Sequence, residues 1–402
     1  MDTTNNKFFC FYPFRAIDVL ADSSVVPCCR FDGRKEKNLQ YINDKNSISD
    51  AFNSKYFNDL REKMLAGEKV AGCWKCYKED EAGIESMRVG ANHYMQETTE
   101  VGLEYIELES GRFCNLKCRS CSPHVSSGFH NELKSSKFMA EHFGIDLNNE
   151  ILDPKNQLNE SIAKISESQS QNLKSIKVTG GEPLLSEHFL QYIKNLNNWN
   201  LSKNITLEVY TNSSFMPKQK LLDELKSFKH INLFLSIDAI GKKSDYLRSG
   251  SNWTMMEKVA QKWYEFSVSG NVEINVSTTI SIYNILYLKE LIDWVQETIK
   301  ISWPSINFVH NPSYMCVSSF NNDIRNEILG ILRSTWDEKT LKNRSARGYK
   351  KIINFIENAK ESTLPPGYFF TTTEAIDKIR NEDWKQIFPE LYSLLSRYKN
   401  SI

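Results

Sequence analysis

The chain has 402 residues, 40% apolar and 25% charged, and its 50 Lys and Arg are balanced by 50 Asp and Glu. This is the composition of a soluble globular protein long enough for two or three domains, and zero formal charge gives no electrostatic footprint for nucleic acid or an anionic membrane. No apolar run reaches the roughly 18 residues of a membrane span, and the start Met1-Asp2-Thr3-Thr4-Asn5-Asn6 lacks a signal-peptide layout, so a cytoplasmic protein with neither nucleic-acid nor membrane partner is expected.

Residues 1–100 show little periodicity but many cysteines. Eight of the nine cysteines fall within the first 121 residues, in close pairs or triples. In a reducing compartment such clustering favours metal or cluster ligation over disulfides. The N-terminal set runs Cys10-Phe11-Tyr12-Pro13, then Val25-Val26-Pro27-Cys28-Cys29, then Gly72-Cys73-Trp74-Lys75-Cys76. Four ligands are available: Cys10, one of Cys28 and Cys29, Cys73 and Cys76. A structural zinc knot would use the same C-x2-C pair. Between these motifs a helix is predicted over 49–66. Asp50 can cap it, Phe52, Tyr56, Phe57, Leu60, Met64 and Leu65 share a face, and Gly67 ends it.

From about residue 103 the pattern becomes one of alternating strands and helices. Strands are predicted at 105–109, 175–179, 205–211, 232–237, 272–279 and 305–310, and helices at 187–196, 218–228, 253–266 and 286–299. Such alternation argues for βα units and a parallel sheet, with functional residues at the C-terminal strand ends. Two motifs sit there. Phe113-Cys114-Asn115-Leu116-Lys117-Cys118-Arg119-Ser120-Cys121 follows the first strand as C-x3-C-x2-C. Three thiolates can hold three irons of a four-iron cluster and leave the fourth open to a ligand. Alternatively the array is part of a zinc site with His124. After the second strand comes Thr179-Gly180-Gly181-Glu182-Pro183. The glycines permit close backbone approach, and Glu182 with the freed carbonyls suits an ammonium group. Segment 122–172, rich in Ser, Asn, Lys and Glu, is a long connection of the kind that forms lids, partner surfaces or plain insertions.

Together these motifs resemble the radical S-adenosylmethionine (SAM) superfamily over roughly 103–315. The resemblance implies a partial (β/α)6 TIM-like barrel, and a [4Fe-4S] cluster on Cys114, Cys118 and Cys121 whose open iron is chelated by SAM. It implies that Gly180, Gly181, Glu182 and Pro183 receive the methionine amino group. Ser236 and Arg248 would hold its carboxylate, Thr211 and Asn212 would meet the ribose, and Ser277 and Thr278 would lie near the adenine edge. Ser120 departs from the family, where an aromatic residue usually precedes the last cysteine. The N-terminal cysteines resemble the twitch/SPASM auxiliary-cluster module, here preceding the barrel, with Cys28 favoured because it follows proline directly and with Arg88 at a motif position.

The domains expected are 1–100 (auxiliary cluster), 101–318 (barrel) and 319–402, a helical tail ending in Trp384, Ile387, Phe388, Leu391, Leu394 and Leu395. The tail is expected to pack over the barrel's open side. Cys316 reads as a buried hydrophobe or a hydrogen-atom donor, and His310 and Tyr314 as substrate-facing. The implied activity is reductive cleavage of SAM and hydrogen abstraction from a peptide or protein side chain. An auxiliary [4Fe-4S] cluster would assist oxidation, and flavodoxin or ferredoxin would donate electrons. The alternatives are a radical dehydrogenase of a small alcohol, sugar or aminocyclitol, and a non-catalytic iron–sulfur or zinc protein.

Overall fold

The computed structural model describes residues 6–35, 38–81, 85–94, 99–121, 123, 125–144, 146, 159–268, 270–359, 364–365 and 367–399. Among the described residues there are eleven strands: β1 (Ala16–Val19), β2 (Ser24–Val26), β3 (Gln40–Tyr41), β4 (Tyr105–Glu109), β5 (Lys117–Cys118), β6 (Ser175–Thr179), β7 (Thr206–Thr211), β8 (His230–Ser236), β9 (Arg248–Ser249), β10 (Val272–Ile280) and β11 (Ser305–Phe308). The six long predicted strands are β4, β6, β7, β8, β10 and β11. Helices lie between them, including Glu187–Asn198, Gln219–Leu225, Trp253–Val268 and Leu288–Trp294. This is the α/β alternation of a partial (β/α)6 barrel.

The chain divides into two compact units, the first comprising 1–113, 153–210 and 217–232, the second 114–152, 211–216 and 233–402. In the first unit the strands lie in the order β3-β2-β1-β4-β6-β7-β8. The pairs β1–β4, β4–β6 and β6–β7 are parallel, and β1–β2–β3 is an antiparallel meander. One face of β4, β6 and β7 is apolar and buried (Ile106, Leu108, Ile176, Val178, Leu207, Val209) and the alternate residues are polar, as the two-residue period of a strand dictates. The sequence gives no sign of β1, because all four of its residues are buried and it lacks alternation. Yet β1 adds a parallel strand from the cysteine-bearing segment to the sheet.

The predicted helix over 49–66 is two helices, Ile48–Phe52 and Lys55–Leu65. Ser54 intervenes as a new N-cap for Phe57 N–H. Asp50 is not the cap: it sits at N3 of a capping box whose cap is Ser47. Gly67 follows with a left-handed φ of 72°, which suits glycine.

In the second unit β8 continues from Leu233 beside β10, β10 pairs in parallel with β11, and β5 pairs antiparallel with β9. The tail is helical over Asn322–Thr335, Asn343–Glu357, Tyr368–Arg380, Trp384–Ile387 and Pro389–Ser396. Its Ile324, Ile328, Phe369, Trp384, Phe388, Leu391 and Leu395 form one buried core with Tyr246, Tyr283 and Tyr287. No helix among the described residues is long and apolar enough to cross a membrane.

Candidate functional site

Each unit carries part of the predicted machinery. In the second unit the Cys114–Cys121 loop is held by its own intervening residues. Arg119, fully buried, donates to Asp377 Oδ1 and Glu382 Oε2, both at 2.5 Å, and lies 3.7 Å from the Tyr246 ring centroid. Lys117 reaches Glu132 at 2.6 Å, and Glu132 also accepts from Arg380 at 2.8 Å. The residues on either side of Cys118 are thus clamped to tail and insertion helices. Sequence reading passed over Arg119, Asp377, Glu382, Glu132 and Arg380; two basic residues flanking a cysteine were the available signal.

Asn212 Nδ2 donates to Asn115 Oδ1 at 2.8 Å and lies 3.5 Å from Cys114 Sγ, while its Oδ1 accepts from Ser214. Thr211 is buried beside it. Arg248 is buried, ion-pairs with Asp238 at 2.9 Å and lies 3.7 Å from Cys118 Sγ; its Nε has no hydrogen-bond partner. Burial alone would lower the Arg248 guanidinium, but Asp238 and the three thiols override that and raise it. A hydrogen bond with Cys121 draws the Cys118 thiol down to about 7 against its burial, with Arg248 assisting, and Cys121 is pushed up in return.

A buried cation with an orphan N–H beside three thiols is a donor set suited to a thiolate-held cluster with an anionic ligand. Ser236 is half-buried at the end of β8. Thr278 is fully buried and donates to Ile237 O at 2.8 Å, and Ser277 Oγ accepts from Asn307 at 3.1 Å. His124, the ligand of the zinc alternative, lies outside the described residues. Cys316 is buried and lies 2.9 Å from Ser318 Oγ. Tyr314 is fully buried with no partner for its hydroxyl, whereas His310 is exposed.

In the first unit the Gly180–Pro183 turn docks on the strand end that leads into Cys114. Gly181 N–H donates to Gly111 O at 2.8 Å and Glu182 N–H to Phe113 O at 2.9 Å. Gly180 has φ 114°, and a Cβ on Gly181 would lie 2.0 Å from Phe113 O, so both glycines are required by geometry. Glu182 is buried and its carboxylate accepts from Leu184 N–H at 3.1 Å.

The N-terminal cysteines converge in the same unit. Cys10, Cys28, Cys73 and Cys76 line one cavity with Tyr12, Phe31, Met87 and Arg88. Cys29 does not line it; its Sγ lies 3.9 Å from Lys177 Nζ and 4.0 Å from Sδ of the lining Met87. Arg88 donates to Phe9 O at 2.9 Å and to Asp80 at 2.6 Å, which fixes the residue before Cys10. Arg61 donates to Pro13 O and Phe52 O. Burial pushes the Cys10 thiol up to about 12 and raises Cys28, Cys73 and Cys76. Among the described residues no three such donors are grouped to hold a single metal ion, so these four thiols, in a cavity lined also by Arg30 and Arg88, would suit a larger cluster that takes them as thiolates.

An α/β fold with a three-thiol loop after its first long strand and a four-thiol cavity is the arrangement expected of a cluster-dependent SAM protein. The comparisons agree: residues 108–299 match the Radical SAM superfamily and residues 10–77 an iron-sulfur cluster-binding domain, SPASM. Over 108–299 the chain is thus similar to the radical SAM superfamily, with a SPASM match N-terminal to it, and these matches imply a [4Fe-4S] cluster, SAM and auxiliary iron–sulfur. An uncharacterized protein of Methanocaldococcus jannaschii is 24% identical over 195 residues, 48% of this chain and 59% of that one. The GTP 3',8-cyclase of Clostridium perfringens is 27% identical over 180 residues, 44% of this chain and 47% of that one. The chain thus spans about half the length of the curated relatives it matches. Among solved structures, anSMEcpe with bound AdoMet is 18% identical with a TM-score of 0.40, over 66% of this chain and 69% of that one. Streptococcus suis SuiB bound to S-adenosylmethionine is 16% identical with a TM-score of 0.33, over 72% and 52%.

Proposed function

We propose that this radical SAM enzyme acts on a peptide or protein side chain and carries an auxiliary [4Fe-4S] cluster on Cys10, Cys28, Cys73 and Cys76. The observation that carries the auxiliary site is the convergence of those four thiols on one cavity, with Cys29 outside it. Four thiolates satisfy all four irons, so the role assigned to this cluster is electron transfer rather than substrate ligation. The peptide reading rests on the SPASM domain. Cys114, Cys118 and Cys121 would hold the other cluster, within a barrel domain of 101–318 flanked by modules of 1–100 and 319–402.

When bound, the cluster and SAM supply a carbon-centred radical able to take a hydrogen atom from an unactivated carbon, the electron coming from a flavodoxin or ferredoxin in the cytoplasm. The protein's own part is positioning. Gly180, Gly181, Glu182 and Pro183 would receive the amino group. The orphan Nε of Arg248, with Ser236, would take the carboxylate. Thr211 and Asn212 would lie toward the ribose and Thr278 toward the adenine.

Mass spectrometry of candidate substrates after turnover in D2O with SAM and dithionite tests this reading. A peptide that loses hydrogen or gains deuterium is the expected product. Turnover of sugars or aminocyclitols with peptides left untouched would replace it with the dehydrogenase reading.

A further inference from the structure

The polar face of the first unit's sheet holds a constellation that cluster binding does not use. Strand register sets Asp18 of β1, Glu107 of β4, Lys177 of β6 and Glu208 of β7 side by side in one row. Lys177 Nζ lies 2.9 Å from Glu107 Oε1 and 5.4 Å from the Tyr210 ring centroid. Within the row Lys177 is ion-paired with Glu107, and Glu208 is hydrogen-bonded to Tyr210. Glu109, one step along β4, is already engaged by Ala21 N–H at 2.9 Å. Asp18 is fully buried, and neither of its carboxylate oxygens has a hydrogen-bond partner. A buried carboxylate left unpaired is strongly disfavoured, and among the described residues no ion pair reaches it.

The row adjoins the auxiliary cysteines. Cys29, bonded in sequence to the cavity-lining Cys28, faces Lys177, and Tyr12, which lines that cavity, packs edge-on against Tyr105 of β4 at 6.1 Å. Lys177 also lies three residues before Gly180, on the strand that ends in the glycine turn.

We propose that the Asp18–Glu107–Lys177–Glu208 row is a substrate subsite that accepts a cationic group, an ammonium or guanidinium, against Asp18. The inference rests on the reading of this chain as an enzyme with an organic substrate, and it narrows that substrate to one carrying a positive charge. An ammonium fits better than a metal ion: Lys177 stands within the row and would repel a divalent ion, and carboxylates spread over strands about 4.8 Å apart match a group with several N–H donors.

The test is calorimetric titration of the full-length, cluster-loaded protein with two probes of equal length, N-acetyl-lysine methylamide and its uncharged isostere N-acetyl-2-aminoheptanoic acid methylamide. The lysine probe should bind at least about tenfold tighter. Asp18→Asn should erase that preference, and Lys177→Met, which removes the internal competitor, should increase it. Equal or absent binding of both probes by folded wild-type protein would overturn the subsite, as would a preference unchanged in Asp18→Asn. If Asp18→Asn does not fold, the wild-type comparison and Glu208→Gln decide. No radical chemistry enters the titration, so its failure leaves the peptide reading to the D2O experiment. Conversely, turnover of a peptide with no basic group would sink the subsite alone.

Discussion

Gly181 has no room for a side chain: an added Cβ would meet the Phe113 carbonyl, a backbone group that cannot rotate away. Gly181→Ala should therefore cost about 1–3 kcal/mol of stability, read by denaturant titration, and displace the Gly180–Pro183 turn from the strand end it caps. Asp18 makes the opposite prediction. Burial first, then Glu107 and Glu109, raise its carboxyl well above the usual range, with Lys177 opposing. A raised folded-state value means that the contribution of this group to stability is complete below the unfolded carboxylate's titration and is lost as pH rises toward the folded value. Asp18→Asn should thus stabilise the ligand-free protein near neutral pH by about 1–3 kcal/mol, with the gain vanishing in acid. Thermal unfolding across pH checks the sign.

At the scale of elements, the loop holding Cys114, Cys118 and Cys121 depends on the tail. Arg119 is buried between Asp377 of the Tyr368–Arg380 helix and Glu382, and Asp377 also accepts from Tyr246 Oη and Trp384 N–H, each at 2.8 Å. Arg119→Met would leave two carboxylates without their cation, so a loss of about 3–5 kcal/mol is expected. Because the same residue orients the loop, affinity for the cluster proposed to bind there should fall about ten- to a hundredfold. Iron analysis alongside denaturation separates the two effects. Retention of full iron content in a folded Arg119→Met protein would show that the clamp stabilises the tail without orienting the loop.

For the whole molecule, the two sets of proposed cluster ligands belong to different compact units: Cys10, Cys28, Cys73 and Cys76 to the first, Cys114, Cys118 and Cys121 to the second. They should load independently. Anaerobically reconstituted protein should bind about eight irons, and Cys73→Ala about four, with SAM cleavage largely kept. Cys118→Ala should also drop to about four irons but lose 5′-deoxyadenosine formation by at least about a hundredfold. Iron counts and chromatographic detection of 5′-deoxyadenosine report both outcomes.

The features written in local spacing were readable from the sequence. The C-x3-C-x2-C array, the Gly-Gly-Glu-Pro turn and the alternation of six strands with helices are contiguous signals, because a loop that grips a cluster and a strand that buries one face each impose their pattern within a few residues. Cys28 could be favoured over Cys29 from its position after proline, but only the folded unit separates the two, with Cys28 at the cavity and Cys29 toward Lys177. The tie from Arg119 to Asp377 spans 258 residues, and the row from Asp18 to Glu208 exists only through strand register. Neither leaves a local trace, since the partners of a buried charge are chosen by packing across the fold and not by neighbours along the chain. The sequence by itself determined the thiol motifs that point to the chemistry, a C-x3-C-x2-C loop resembling a SAM-binding cluster site and a second set of cysteines earlier in the chain. Tertiary structure decided which carboxylates clamp Arg119 and that Asp18 is buried without a hydrogen-bond partner, because both depend on which distant segments the sheet and core bring into contact.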